Sequence, residues 1–174
     1  LADWPVERAA LVGQGRTELD VFSPTLLAQV SPGLAGQAAM ALRPNDKAAP
    51  TTRSQENRGL LIHTAAPVLD ADGRLQGVLA GGVLLNRNLE FIDHLNAVVY
   101  PRDALPFGSQ GTATLFLGDV RVATNVRLFA GERAIGTRVS ATVNQAVLQE
   151  GGVWLNRAFV VQDWYVSGYM PLMD

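Results

Sequence analysis

The chain has no cysteine and only two histidines, His63 and His94. Disulfides and thiolate metal centres are therefore excluded. Two imidazoles far apart in the sequence, with no set of carboxylates grouped around them, make no built-in metal site. Charge is also scarce: 17% of residues are charged, 14 basic against 16 acidic, for a formal net charge of −2. No basic excess marks nucleic acid or an anionic membrane surface as a partner. No apolar run reaches the roughly 18 residues that cross a bilayer; the longest, residues 77–85, is strand-sized and rich in Gly and Val. The opening Leu-Ala-Asp-Trp-Pro lacks the charged start and apolar core of a signal peptide. Catalytic signatures are missing too. There is no Ser-His-Asp spacing and no phosphate-cradling glycine loop, and turn chemistry accounts for Asp70 and Asp72 in Asp-Ala-Asp-Gly. Neither an enzymatic activity nor a cofactor is expected.

What is present is 174 residues, 48% of them hydrophobic, enough for one sizeable globular domain or two small ones. A start without Met and an end inside a patterned stretch read as a piece of something larger. The first 36 residues read as helical, with Trp4, Val6, Ala10 and Leu11 at roughly helical spacing and a second helix over residues 23–29, capped by Ser23 with Pro24 at its first position. Residues 37–42 lean towards strand, and residues 43–57, with Pro44 and Pro50, read as loop. Residues 59–69 and 75–85 flank Asp-Ala-Asp-Gly as an antiparallel hairpin whose near-continuous apolarity predicts cover on both faces. Residues 88–99 form an amphipathic helix with Leu89, Ile92, Leu95 and Val99 on one face. Residues 112–117 and 120–125 make a second hairpin across Gly118-Asp119. Ser140 caps a helix that reaches Gln149, and residues 153–161 and 164–172 make the last pair of strands. Ala-Pro-Val-Leu-Asp at 66–70 is echoed by Met-Pro-Leu-Met-Asp at 170–174. Read as a repeat, the echo leaves the second half without the strand that would close its sheet.

Gly-Thr-Ala-Thr-Leu-Phe-Leu-Gly-Asp-Val-Arg-Val-Ala-Thr-Asn-Val (111–126), Gly-Glu-Arg-Ala-Ile-Gly-Thr-Arg-Val-Ser (131–140) and the segment from Val153 to Asp174 together resemble the Cache superfamily of bacterial sensor domains, in particular the fused Cache-3/Cache-2 type. The first hairpin adds Gly-Leu-Leu-Ile-His-Thr-Ala-Ala-Pro-Val-Leu-Asp-Ala-Asp-Gly and Gly-Gly-Val-Leu-Leu-Asn-Arg-Asn, so the resemblance covers about residues 59–174. It implies an α+β, PAS-like antiparallel sheet with covering helices, residues 59–174, preceded by an N-terminal helical segment and loop, residues 1–58. It also implies a place outside the cytoplasmic membrane, between two transmembrane helices of a chemotaxis receptor or histidine kinase, and a small metabolite held between the sheet and its covering segments. In the family a further Gly and an apolar strand would follow Asp174.

Several residues could carry such a site, each with a plainer reading beside it. Arg121, on the apolar strand Val-Arg-Val-Ala-Thr-Asn, either holds a ligand carboxylate with its planar fork or points outward to solvent. Thr124 and Asn125 offer a hydroxyl and an amide to a ligand, or fasten the turn. Arg133 and Arg138 lean over a pocket, or pair with Glu132 or Glu150. By alternation Arg157 shares a face with Leu155 and Phe159, as ligand anchor or buried ion pair. Tyr165, Ser167 and Tyr169 share a face of the last strand, where the tyrosines, with Trp154 and Trp164, either wall a small carboxylate pocket or are plain core. His63, the lone polar ring in its strand, is a satisfied core residue, a ligand contact or a pH sensor. Tyr100 closes the amphipathic helix. The resulting expectation is a sensor for a small organic anion, acetate-sized to four carbons. Its charge is met by Arg121, Arg138 or Arg157, and the domain is dimeric in the intact receptor. The rival is an extracytoplasmic protein-interaction module with no metabolite.

Overall fold

Glycine ends the first helix early. The computed structural model describes residues 4–106, 109–128, 131–161 and 163–172. In it α1 spans Pro5–Leu11, and Gly13 takes a φ of 86°, a left-handed conformation that terminates the helix. The chain then runs as β1 (Arg16–Phe22). The helical reading of the first 36 residues is therefore corrected over this stretch. Arg-Thr-Glu-Leu-Asp-Val-Phe alternates with period two, and its backbone is satisfied along β4 rather than within itself. α2 (Pro24–Val30) starts as expected: the Ser23 hydroxyl accepts the Leu26 N–H at 3.2 Å and Pro24 opens the first turn. Residues 37–42 divide between α3 (Leu34–Ala38) and the two-residue strand β2 (Met40–Ala41), which pairs with β3 (Gln55–Glu56) at the end of the long loop.

β4 (Gly59–Leu69) and β5 (Leu75–Leu84) form the expected antiparallel hairpin, with Asp70 Oδ1 accepting the N–H groups of Asp72 and Arg74 in the turn. With β1 they make a sheet of order β1-β4-β5. One face is covered by the N-terminal helices, and the other only at its Leu60–Ile62 end. On the first face α1 packs Val6 and Ala10 on Ala65, and Leu27 and Ala38 join Phe22 and Leu61. The other face carries Leu79, 70% exposed, with Val21, Val68 and Val83 also open. The expectation of cover on both faces holds at Leu60 and Ile62, which pack on the second hairpin, and is corrected around Leu79 and Val68, where the apolar face is bare. Asn86 fastens the end of this sheet from a buried position, accepting the Leu60 N–H and donating to the carbonyls of Ala38 and Arg58.

α4 (Leu89–Val99) is capped by Asn88, whose side chain accepts the Phe91 N–H. Ile92 is fully buried, whereas Leu89 and Val99 are exposed, so the expected apolar face is only partly used. β6 (Thr114–Leu117) and β7 (Val120–Thr124) follow as the second hairpin, then α5 (Ala141–Asn144), which continues as a π turn over Gln145–Gln149, then β8 (Trp154–Val160) and β9 (Asp163–Tyr169). Gln162, expected in the last turn, lies outside the described residues. Two apolar clusters build this half. Met40, Leu60 and Leu85 meet Leu117, Val120 and Val122 on one side of β7, while Val126, Ala134, Val139, Val143, Val147, Ala158 and Val160 join α5 to the β8–β9 hairpin on the other.

Candidate ligand site

β7 lies between those two clusters, so alternate residues face opposite ways. Val120 and Val122 pack towards the first half. Arg121 points to the other side and is buried, 2% exposed as a residue. Its guanidinium carbon lies 4.9 Å from the centroid of the Phe116 ring, the cross-strand neighbour on β6. Nη1 donates to the Thr137 hydroxyl, and Nε is buried with no acceptor. Burial pushes the Arg121 pKa down to about 10, against an opposing pull from Tyr169. At neutral pH the guanidinium therefore stays charged. Among the described residues no carboxylate is within ion-pair distance of this cation. An isolated interior charge is costly.

The β8–β9 hairpin supplies the opposite wall. Trp154 pairs with Tyr169 and Ala158 with Tyr165, which puts these four side chains on one face. The Tyr169 ring lies 5.9 Å from Phe116. Burial raises the Tyr169 hydroxyl above its ordinary pKa, with Arg121 pulling the other way. The Trp154 indole N–H is buried and has no acceptor, so the two sides of the same cluster present two unmatched donors. A cleft of about 390 Å³ is lined by Arg43, Pro44, Asn45, Leu128, Thr137 and Val161, and not by Arg121, Trp154 or Tyr169 themselves. Leu128 and Val161 pack on the cluster that holds Phe116, Trp154 and Tyr169. Thr137, itself 2% exposed, lines the cleft and accepts from Arg121.

The other candidates are placed differently. Arg138 is held by the protein itself: Nε and Nη2 bond Asp119 Oδ2 at 2.7 and 2.6 Å, and Nη1 donates to the Ala49 carbonyl at 2.6 Å. Arg133 forks onto both oxygens of Asp93, at 2.8 and 2.7 Å, and that pairing holds the Asp93 carboxyl below its usual range. Arg157 is exposed on the outer face of β8 beside Leu155, while Trp154, Ala158 and Val160 take the inner one. The expected charge among buried apolar neighbours is corrected: alternation was read correctly, but the buried set is the other one. Thr124 closes the hairpin, bonding Thr114 Oγ1 at 2.7 Å and accepting the Val126 N–H at 3.0 Å, and Asn125 accepts the Ala113 N–H. Tyr165 is 37% exposed at the open end of the inner face, and Trp164 packs on Phe159 outside it. Tyr100 lies against Gly111, where any side chain would strike its ring.

His63 sits in the first sheet under α1. Its Nδ1 lies 2.8 Å from Asp20 Oδ2, its Nε2 3.9 Å from Glu7, and Trp4 and Phe22 meet its ring edge-on. Arg121, Phe116, Thr137, Trp154 and Tyr169 come together; Arg138, Arg157 and His63 do not join them. Sequence reading missed Phe116, Thr137, Asp119 and Glu7. The Gly-Thr and Gly-Asp turns that hold Thr137 and Asp119 were visible, but nothing local indicates which arginine each serves.

Antiparallel hairpins backed by short helices define an α+β domain of PAS-like type. The chain belongs to the Cache superfamily: the family described as single Cache domain 3 matches residues 83–174, from β5 to the end. No curated protein and no solved structure matches it. Cache domains are non-catalytic sensor modules of signalling receptors, typically extracytoplasmic, that bind small molecules. Among the described residues no helix is long and apolar enough to cross a membrane, and no group of His, Asp or Glu could hold a metal ion.

Proposed function

We propose that this domain is the ligand-binding part of a transmembrane chemotaxis receptor or sensor kinase, facing the periplasm, and that it binds a small organic anion such as a short carboxylate. The observation that carries the reading is Arg121: an arginine 2% exposed, with no carboxylate partner among the described residues and one buried N–H without an acceptor. A carboxylate entering past Thr137 would meet the open edge of that fork, and Trp154 and Tyr169 would form its wall. Signalling follows if the bound anion favours one arrangement of the β6–β7 and β8–β9 hairpins over another. Helices flanking the domain and a second copy would carry the change across the membrane.

A thermal-shift screen of short organic acids tests this. A ligand at 100 times its dissociation constant adds about 2.7 kcal/mol of stability. The effect should be absent in Arg121→Gln. No shift with any acid would remove the reading and favour a protein-interaction module. That second reading draws on the bare apolar face around Leu79 and Val83.

A further inference from the structure

We infer that α1 is latched to the first sheet by a proton held in the cluster of Glu7, His63 and Asp20, and that the latch loosens as pH rises. This device lies in the other half of the chain from Arg121 and does not depend on anion binding. α1 turns one buried stripe to the sheet: Val6, Glu7 and Ala10. Val6 and Ala10 pack on Ala65 of β4. Glu7 brings a carboxyl group into the same layer, where it is 6% exposed. His63 meets it from β4, with Nε2 3.9 Å from Glu7 Oε1 and Nδ1 2.8 Å from Asp20 Oδ2 on β1. Trp4 and Phe22 stand edge-on to the imidazole, their centroids 5.1 and 5.4 Å from its own. Glu7 Oε2 is buried with no hydrogen-bond partner. An ionised carboxylate left so poorly solvated is costly, and a protonated one much less so.

Two carboxyl groups therefore share one imidazole. The other neighbours leave that balance unchanged. Glu18, opposite His63 on β1, is paired with Arg16. β5 contributes Val78, Ala80 and Gly82 on this face, none of them charged. Arg8 of α1 is exposed. Among the described residues no Lys or Arg forms an ion pair with Glu7 or Asp20. Burial raises the Glu7 carboxyl above 4.5 and Asp20 adds to the rise, while His63 and the chain's amino terminus oppose it. Lifting α1 returns Glu7 to water and to its ordinary acidity. The docked helix thus holds a proton more tightly than the lifted one. Docking is strongest below 4.5 and weakens as pH climbs from there through the raised value. Opening of this kind is local, because only Val6, Ala10 and the cluster tie α1 down.

Hydrogen–deuterium exchange of the 174-residue chain tests the latch, run at pH 5 and pH 8 and corrected for the intrinsic pH dependence of amide exchange. Protection of residues 5–11 should fall by about 10-fold between the two, the change expected for a carboxyl group shifted by about one pH unit. Protection of β8 and β9 should change little. Glu7→Gln, which cannot ionise, should keep the pH 5 level of α1 protection at both pH values. Equal α1 protection at pH 5 and pH 8 in the unaltered chain would overturn the inference, as would no protection of α1 at either. So would the same fall in Glu7→Gln, or an equal fall in β8 and β9, which would assign the effect to the whole domain. Should Glu7→Gln fail to fold, the contrast between α1 and the β8–β9 hairpin in the unaltered chain still decides.

Discussion

Arg121 and Phe116 face each other across the β6–β7 hairpin, with the guanidinium carbon 4.9 Å from the ring centroid. The ring offers its negative face to a cation that has no carboxylate partner among the described residues. Such contacts are worth about 0.5–2 kcal/mol, less than the cost of burying an unpaired charge. The surroundings of Arg121 are therefore a place where the fold is less stable than its packing alone would make it.

Arg121→Met should hold or raise the stability of the ligand-free domain, by up to about 2 kcal/mol, while abolishing anion binding. The sign follows from the pKa, which burial lowers to about 10. A base whose folded-state pKa is depressed costs stability at every pH where it must be charged, and the cost is relieved only as pH rises beyond about 10. Urea unfolding at neutral pH measures it. A loss of more than about 2 kcal/mol would mean that Thr137 and Phe116 already compensate the charge.

Asp119 should behave in the opposite way. It is 8% exposed and accepts from Arg138 and, at 2.5 Å, from Arg53. Asp119→Ala leaves the Arg138 guanidinium buried and unmatched, and should cost about 3–5 kcal/mol. Asp119→Ala combined with Arg138→Met should recover most of that loss. Equal stabilities of the single and double variants in a denaturant titration would rule out the pairing as the cause.

Glu7 gives a pH-dependent test of how α1 is docked. It is 6% exposed, and its Oε2 has no hydrogen-bond partner. Burial raises its carboxyl above 4.5, only partly offset by His63. A carboxylate with a raised folded-state pKa is destabilising when ionised, so the penalty appears as pH climbs above 4.5 and is complete beyond the raised value. Glu7→Gln should therefore be more stable than the unaltered protein at pH 7 and equal to it near pH 4. Thermal unfolding at both pH values reads the difference, and a pH-independent gap would point to packing instead.

Glu56 predicts acid lability on the other side of the molecule. It is 3% exposed; its burial alone would raise the pKa, but hydrogen bonds from the Arg58 side chain at 2.9 and 2.8 Å and from the Arg58 N–H outweigh that and lower it. With the folded-state pKa below 4.5, the stability this carboxylate contributes is present above 4.5 and lost as pH falls through the lowered value. Glu56→Gln should flatten that part of the acid-unfolding curve.

Gly136 takes a φ of 82°, donates its N–H to the Arg121 carbonyl and accepts the Arg43 N–H, and a Cβ there would strike the Ala41 carbonyl oxygen. Gly136→Ala should cost at least about 2 kcal/mol and weaken anion binding, because the turn it forms presents Thr137 to Arg121. Unchanged stability in a thermal melt would show that the turn relaxes without loss.

Reading along the chain located the hairpins around Asp-Ala-Asp-Gly and Gly-Asp, the Ser23 and Ser140 caps and the amphipathic helix at 89–99. Each of these is written in neighbouring residues: turn chemistry, a capping hydroxyl, a repeat of period two or 3.6. The strand at 16–22 was missed because its partner, β4, lies some forty residues on, and without that ladder Arg-Thr-Glu-Leu-Asp-Val-Phe carries too weak a pattern. Arg157 was assigned to the buried face because two large apolar neighbours, Leu155 and Phe159, share its side. Burial followed instead from where α5 and Val126 lie, under Ala158 and Val160.

The sequence by itself determined which residues carry charge, where the chain turns and that arginines stand in apolar strands, since these depend on composition and on contacts within a few residues. Only the tertiary structure decided which of those arginines is met by a carboxylate. Asp119 and Asp93 reach Arg138 and Arg133 from 19 and 40 positions away, while among the described residues no such group reaches Arg121. Charge compensation is settled by distance in space, which spacing along a chain does not encode.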